Sequence, residues 1–244
     1  MVTAPNDIIG LRQLWKLAFG DTEEFLDKFF STAFAPERCH VLKQEGQIVA
    51  ALYRFDCSMG EQKLAYLYAV ATHPDFRGQG LCRRLMGQTH GMLKEQGYDG
   101  VLLVPQDGGL RKMYAAMGYQ DATSVAEFSC EAGEALPMAA VDADAYATLR
   151  RKFLPEKGVV QEGENLRFLD TYACFYQGSD FLAAVSGKQI VELLGNRRRA
   201  AGIFAALGLE GGDVRTAGEE VPYAMFLPLT EWAQMPAYFG LAFD

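Results

Sequence analysis

Residues 77–82 read Arg-Gly-Gln-Gly-Leu-Cys, two glycines one residue apart behind an arginine. Glycine lets a backbone enter left-handed conformations and approach a ligand that a Cβ would obstruct. Leu81, Leu85 and Met86 begin an apolar stripe at helical spacing, so the loop presents free N–H groups at a helix start. Unpaired donors and the positive end of the macrodipole make such a start an anion site. The residue types therefore predict a held phosphate or pyrophosphate, with the Arg77 side chain as added charge. A dinucleotide loop of the form Gly-x-Gly-x-x-Gly is not matched, because Arg83 stands at the third glycine, and no Gly-Lys-Ser/Thr occurs.

The elements that must position this loop follow from pattern. Ahead of it, Tyr66, Tyr68, Val70 and Thr72 alternate through a β-prone run over 64–72. Pro74 ends that strand, having no N–H and holding His73 extended. The helix after the loop runs from Gly80 to about residue 96 and stops at Gly97. An all-apolar strand over 101–104 suits burial on both faces. A short helix over 110–117, stopped by Gly118, and a last strand over 119–130 complete this half. Upstream, Asp7 is placed to cap a helix carrying Ile8, Leu11, Trp15 and Ala18 and closed by Gly20. Asp21, with Glu24 at capping-box spacing, opens a second helix whose Phe29 and Phe30 read as core. Strands over 39–43 and 47–57 flank Glu45-Gly46, and Met59-Gly60 turns into the strand before the loop.

Composition narrows the classes. The chain has 244 residues, half of them hydrophobic, enough for two domains without disulfides. A net charge of −8 argues against a nucleic-acid partner and is compatible with a cationic substrate. Five scattered cysteines and three histidines form no metal-ligand spacing, so no metal is expected and a reducing cytoplasm fits. The opening residues lack a signal-peptide pattern, and no apolar run approaches the roughly 20 residues a membrane span needs. A soluble cytoplasmic protein without a membrane partner is expected, as monomer or homo-oligomer.

The segment over 70–82, Val-Ala-Thr-His-Pro-Asp-Phe-Arg-Gly-Gln-Gly-Leu-Cys, resembles the acetyl-CoA motif of the GNAT superfamily of N-acetyltransferases, Gln/Arg-x-x-Gly-x-Gly/Ala between a strand and a helix. Tyr114-Ala-Ala-Met-Gly118-Tyr119 resembles the superfamily's second signature, Tyr-x-x-x-Gly-Phe/Tyr. The resemblance implies an α+β fold: a mixed, mostly antiparallel twisted sheet flanked by helices. It implies acetyl-CoA as co-substrate and transfer of its acetyl group to a primary amine by direct attack. Backbone N–H groups of Arg77, Gly78, Gln79, Gly80, Leu81 and Cys82 are then expected at the pyrophosphate. Val70 takes the position whose N–H faces the thioester oxygen, with Ala71 and Thr72 along the pantetheine arm. Tyr114 matches the general acid for the leaving thiolate, and Tyr119 reads as core.

Three positions depart from the pattern. Cys82 stands where Gly or Ala is usual, a position that is large and apolar in the enhanced-intracellular-survival branch. Asp107 stands where many members carry an Asn that contacts CoA. Tyr66 stands where many carry a glutamate base four residues before the Val70 position. Substitutes are Tyr66 or Tyr68 through water, Asp56, or a carboxylate at Asp244, since the run over 238–244 is apolar until its last residue. The last mirrors the enhanced-intracellular-survival branch, where a buried terminal carboxylate is the base. Loss of the usual glutamate also leaves open a non-catalytic acyl-CoA sensor.

Beyond residue 135 the pattern repeats: helices over 144–154 and 165–176, a hairpin over 181–187 and 189–195, a helix over 196–207, and strands over 213–216, 221–227 and 238–243. We read residues 1–135 as a GNAT domain with the acetyl-CoA site and 136–244 as a degenerate GNAT-like copy. At the corresponding loop this copy has Gly195-Asn196-Arg197-Arg198-Arg199, without the glycine spacing, and no second CoA site is expected.

Overall fold

Trp15 opens the core: it lies on α1 (Ile8–Phe19), which buries Leu11, Leu14 and Trp15 and ends at Gly20 in a left-handed conformation, φ +76°. The structure is a computed structural model and describes residues 7–243. Asp7 makes no cap hydrogen bond; its carboxylate instead meets Lys43 Nζ at 2.6 Å. α2 (Glu23–Thr32) is capped by Thr22, whose Oγ1 accepts from Phe25 N at 3.1 Å, so the expected cap at Asp21 moves on by one residue. Asp21 is thereby left in the link between the two helices.

The first sheet starts as a meander of β1 (Cys39–Gln44), β2 (Gln47–Met59) and β3 (Gln62–Thr72). The chain then crosses over through α3 (Leu81–Glu95) into β4 (Gly100–Leu103), parallel to β3. All four residues of β4 are buried, as an apolar run flanked on both faces must be. Parallel pairing is confined to Leu64–Tyr66 against Gly100–Leu102, and beyond it β3 and β4 separate. α4 (Gly108–Ala115) follows β4. The strand expected over 119–130 divides in two: β5 (Gln120–Asp121) stays in this sheet and β6 (Ser124–Glu131) joins the other.

The second sheet is built from β7 (Ala139–Val141), β8 (Cys174–Gln177), β9 (Phe181–Ser186), β10 (Gln189–Gly195), β11 (Gly211–Ala217) and β12 (Val221–Pro222) together with β6. β10 and β11 are parallel and joined through α7 (Ala200–Ala206), repeating the β3–α3–β4 unit. α5 (Ala143–Phe153) and α6 (Glu164–Leu169) precede β8; the helix expected over 165–176 is cut short because Cys174–Gln177 pairs with β7 and β9. β13 (Met225–Pro228) returns to the first sheet between β4 and β5.

The orders are β1-β2-β3-β4-β13-β5 and β12-β6-β11-β10-β9-β8-β7. β6 lies antiparallel to β11 just as β13 lies antiparallel to β4. Each half thus lends one strand to the other, and the sheets interlock across residue 135 rather than dividing there. The run over 221–227 splits between the sheets, and the segment over 238–243 forms no strand but lies buried. An aromatic core joins the halves: Phe168 meets the rings of Phe29, Phe55 and Phe243, and Phe55 meets Phe243, at 4.8–6.3 Å. A second core packs α3 on the first sheet and a third packs α7 on the second.

Candidate active site

The strand that leads into the glycine loop is broken at a defined point. β2 and β3 pair Ala51 with Ala71 and Tyr53 with Tyr68, so three steps on β3 match two on β2. Ala69 sits in the resulting bulge at φ +51°, a conformation costing an alanine about 1–2 kcal/mol. The buried Trp15 fixes it, its Nε1 donating to Ala69 O at 3.1 Å. Neither Ala69 nor Val70 has a ladder partner on β2. Because β4 has already diverged, the backbone at Val70 faces open space on that side as well.

Beyond the bulge, His73 N donates to Val49 O at 2.9 Å, and His73 Nδ1 accepts from Asp75 N, which sets a single helical turn over Pro74–Phe76. Gly78 and Gly80 follow at φ +77° and +71°, and Gly80 caps α3. Their need for glycine is conformational, since an added Cβ at either would meet nothing within 4 Å. α3 has no side-chain cap and no acid in its first turn, so among the described residues its leading N–H groups meet no side-chain anion there. Arg77 bends back, with Nε donating to Thr72 O at 3.4 Å.

A cavity of about 690 Å³ runs along this loop. Val70, Ala71, Thr72, Arg77, Gly78, Gly80, Leu81 and Cys82 line it, as does Tyr114 from α4. Of the residues expected here, only Gln79 is not on its wall. Asp107 also lines it, but its carboxylate caps α4 by accepting from Leu110 N at 2.8 Å. That explains an acid at the position of the usual Asn: it serves the helix that carries Tyr114.

Tyr114 is 6 % exposed, and burial pushes its phenol above the usual range, with Cys82 nearby adding to the shift. It therefore stays protonated at physiological pH and can act as a hydrogen donor. Burial likewise raises the Cys82 thiol, which removes thiolate chemistry from the loop. Tyr119 packs edge-on to Tyr114 at 5.8 Å and bonds His90 Nε2 at 2.8 Å, the core role its position suggested.

A second cavity of about 380 Å³ shares Val70, Gln106, Leu110, Tyr114 and Phe19 with the first, and adds Asp21, Phe25, Tyr66, Tyr68 and Phe243. Val70 and Tyr114 thus stand where the two spaces meet. Asp21 went unrecognised as a lining residue because its type and place equally suit a helix cap. Phe19, Phe25, Gln106 and Leu110 carry no local signal of this role.

The segment bearing Phe243 comes from the second half and is anchored along its length. Val159 N donates to Tyr238 O at 2.8 Å, and the buried Gln161 side chain grips Leu241 from both sides, donating to its O at 2.6 Å and accepting from its N at 3.3 Å. Phe243 N then donates to the Tyr66 hydroxyl at 3.3 Å. Asp244 lies outside the described residues. Asp56, another candidate base, is instead part of an ion cluster: it meets Arg54 and accepts from the Tyr98 hydroxyl, and its Oδ2 lies 3.2 Å from Arg38. It lines neither cavity.

The corresponding place in the second half is closed. β10 shifts register against β11 after Ile190 but pairs with it again at Leu193, where Thr216 Oγ1 donates to Leu193 O at 2.6 Å. Asp180 accepts from Asn196 at 2.9 Å and from Arg199 at 3.0 Å, filling the loop with a carboxylate of the chain itself. Among the described residues no group of His, Cys, Asp or Glu could hold a metal ion, and no helix is long and apolar enough to cross a membrane.

Residues 3–122 match the family described as acetyltransferase (GNAT) domain. No curated protein matches the chain. Among solved structures, a GCN5-related N-acetyltransferase from Anabaena variabilis superposes with a TM-score of 0.72 at 14% identity, over 94% of this chain and 72% of that one. Eis1 from Mycobacterium abscessus gives 0.67 at 10% identity, over 93% and 73%. A protein from Pyrococcus horikoshii gives 0.70 at 13%, over 99% and 92%. At these identities the likeness is one of fold, and it extends through both halves.

Proposed function

We propose that this chain, which belongs to the GNAT acetyltransferases through its first half, moves the acetyl group of acetyl-CoA onto a primary amine. One observation carries the reading: the bulged Val70 and the buried Tyr114 stand on the walls of both cavities, where the space along the glycine loop meets an aromatic pocket. The Arg77 N–H, expected at the pyrophosphate, is given to Pro74 O at 3.2 Å, so the pyrophosphate belongs on the N–H groups from Gly78 to Cys82, with the Arg77 side chain close enough to add charge. The cavity along 70–72 takes the pantetheine arm, and the unpaired Val70 N–H faces the thioester oxygen, where negative charge develops.

The amine nitrogen attacks the thioester carbon, the new C–N bond forms, the C–S bond breaks, and the thiolate takes a proton. Tyr114, held protonated, is the donor at that sulfur. The ammonium proton must first go to a base, and Tyr66 cannot fill the role of a carboxylate. We assign this role to a carboxylate of Asp244, which is bonded to Phe243 on the cavity wall. Deleting residue 244 should lower turnover without weakening acetyl-CoA binding; equal turnover rejects that assignment.

Free-thiol release from acetyl-CoA across a panel of amines tests the whole reading. Tyr114→Phe should lower kcat about 100-fold while the KM for acetyl-CoA stays within error. A Phe variant with undiminished kcat removes Tyr114 from the chemistry.

A further inference from the structure

Among the described residues Asp21 is the single charged one on the wall of the smaller cavity, which is otherwise aromatic, aliphatic and amide. It lies in the link between α1 and α2, and among the described residues it makes no hydrogen bond or ion pair. Its neighbours are all committed. Glu23 takes Lys16 and Arg12, each at 2.5 Å, Asp27 takes Arg12 at 2.6 Å, and Thr22 caps α2. Asp21 is half-buried, and desolvation raises its carboxyl above the usual value, the mark of a carboxylate without a cation.

The remaining wall has a definite shape. Phe25 packs edge-on against Phe168 at 5.6 Å, and Tyr68 against Phe243 at 5.9 Å, so these rings are fixed rather than adaptable. Such a wall rewards an apolar body, and its ring faces tolerate one cation. With the Asp244 carboxylate assigned to the reacting nitrogen, a second ammonium, or a set of hydroxyls, would be stripped of water and find no further carboxylate among the described residues.

We infer that the smaller cavity takes a compact monoamine with an apolar or aromatic body, whose ammonium is held by Asp21. This rests on the acetyl-transfer reading above and narrows it to a class of acceptor. The net charge of −8 cannot make the same distinction, since it attracts polyamines at least as strongly.

The test compares 2-phenylethylamine and hexylamine with spermidine and kanamycin in the thiol-release assay. The two monoamines should exceed the polycations in kcat/KM by at least about tenfold. Asp21→Asn should raise the KM for 2-phenylethylamine about 10- to 100-fold, the loss of one charge-assisted contact. The KM for acetyl-CoA and the thermal midpoint should not move, and Asp21→Glu should recover most of the loss. Polycations accepted equally well, or an Asp21→Asn enzyme with unchanged monoamine KM, would overturn the inference while leaving acetyl transfer standing. No thiol release with any amine would overturn both.

Discussion

Glu192 is the residue whose loss the structure makes most costly. It is fully buried on β10 and accepts four hydrogen bonds: from Arg150 Nε at 2.7 Å and Nη2 at 2.8 Å, from Tyr146 at 2.8 Å and from Tyr238 at 3.0 Å. Arg150, 1 % exposed, spends its remaining arm on Val159 O at 2.9 Å. Burial alone would depress the guanidinium, but Glu192 beside it more than compensates, and it is held above its usual value. Glu192→Gln keeps the shape, removes the charge, and turns an amide N–H₂ toward groups that are themselves donors. An uncompensated guanidinium is then left inside, which costs about 3–5 kcal/mol, a large part of the 5–15 kcal/mol typical of a folded protein. Tyr238→Phe removes one of four donors and should cost about 2 kcal/mol. Urea unfolding followed by circular dichroism measures both. The joint change Arg150→Met with Glu192→Leu should lie closer to the parent than Glu192→Gln alone, because it removes both charges. The consequence reaches the cavity. Tyr238 begins the segment that ends at Phe243, and a Cβ at Gly240 would collide with the Tyr238 hydroxyl and the Glu192 carboxylate. Glu192→Gln should therefore raise the KM for the amine before that for acetyl-CoA. A Glu192→Gln protein within about 1 kcal/mol of the parent would refute the view that this network is tightly closed.

Gly80→Ala places a Cβ in open space at φ +71°, so the backbone alone carries the cost, about 1–2 kcal/mol. If the loop's N–H groups hold the pyrophosphate, calorimetry should show acetyl-CoA binding weakened about tenfold; a destabilised protein with unchanged affinity argues against that cradle. His40 is 1 % exposed, and burial, with the Arg54 charge nearby, pulls it down to about 4. The unfolded chain takes up this proton near pH 6.5 and the folded one does not. The stabilisation is therefore complete above pH 6.5 and lost as pH falls towards 4, by about 3 kcal/mol. His40→Phe should flatten the fall of the thermal midpoint across that window, and an equally steep fall would show that other groups drive it.

What the sequence disclosed and what it hid separate along a physical line. The glycine loop, its helix and Tyr114 were legible because turn chemistry and helix starts are decided within a few residues. The first four strands of the sheet were legible for the same reason, each being a local run with its turn. The exchange of β6 and β13 was not. Ser124–Glu131 and Met225–Pro228 read as strands, but which sheet completes them depends on partners about 100 residues away. The segment over 238–243 is an apolar run that reads as a buried strand, yet Leu241 and Phe243 bond the side chains of Gln161 and Tyr66 rather than a neighbouring strand, which no local pattern encodes. Asp21 and Thr22 are both good helix caps by type. Only the packed structure decides that Thr22 takes the role and Asp21 faces the cavity.

The second half makes most sense as the wall of the first half's site. Both halves contain a strand–helix–strand unit with parallel strands, but only one of them opens. β3 parts from β4 after Tyr66 and bulges at Ala69, whereas β10, which also shifts register after Ile190, regains its pairing with β11 at Leu193. Opening a sheet exposes backbone groups that need partners, and in the first half Trp15 supplies one at the bulge and a ligand is expected to supply the rest. In the second half the Asp180 carboxylate occupies the loop, taking the side chains of Asn196 and Arg199. A copy relieved of binding can carry other burdens. This one lends β13 to extend the first sheet beyond β4, and its last described residues bring Phe243 against Tyr66 and Tyr68. The strand exchange fixes the halves against each other, and the aromatic cavity needs that rigidity, since its walls come from both. Loosening the second half should therefore damage selection of the amine before it damages the glycine loop.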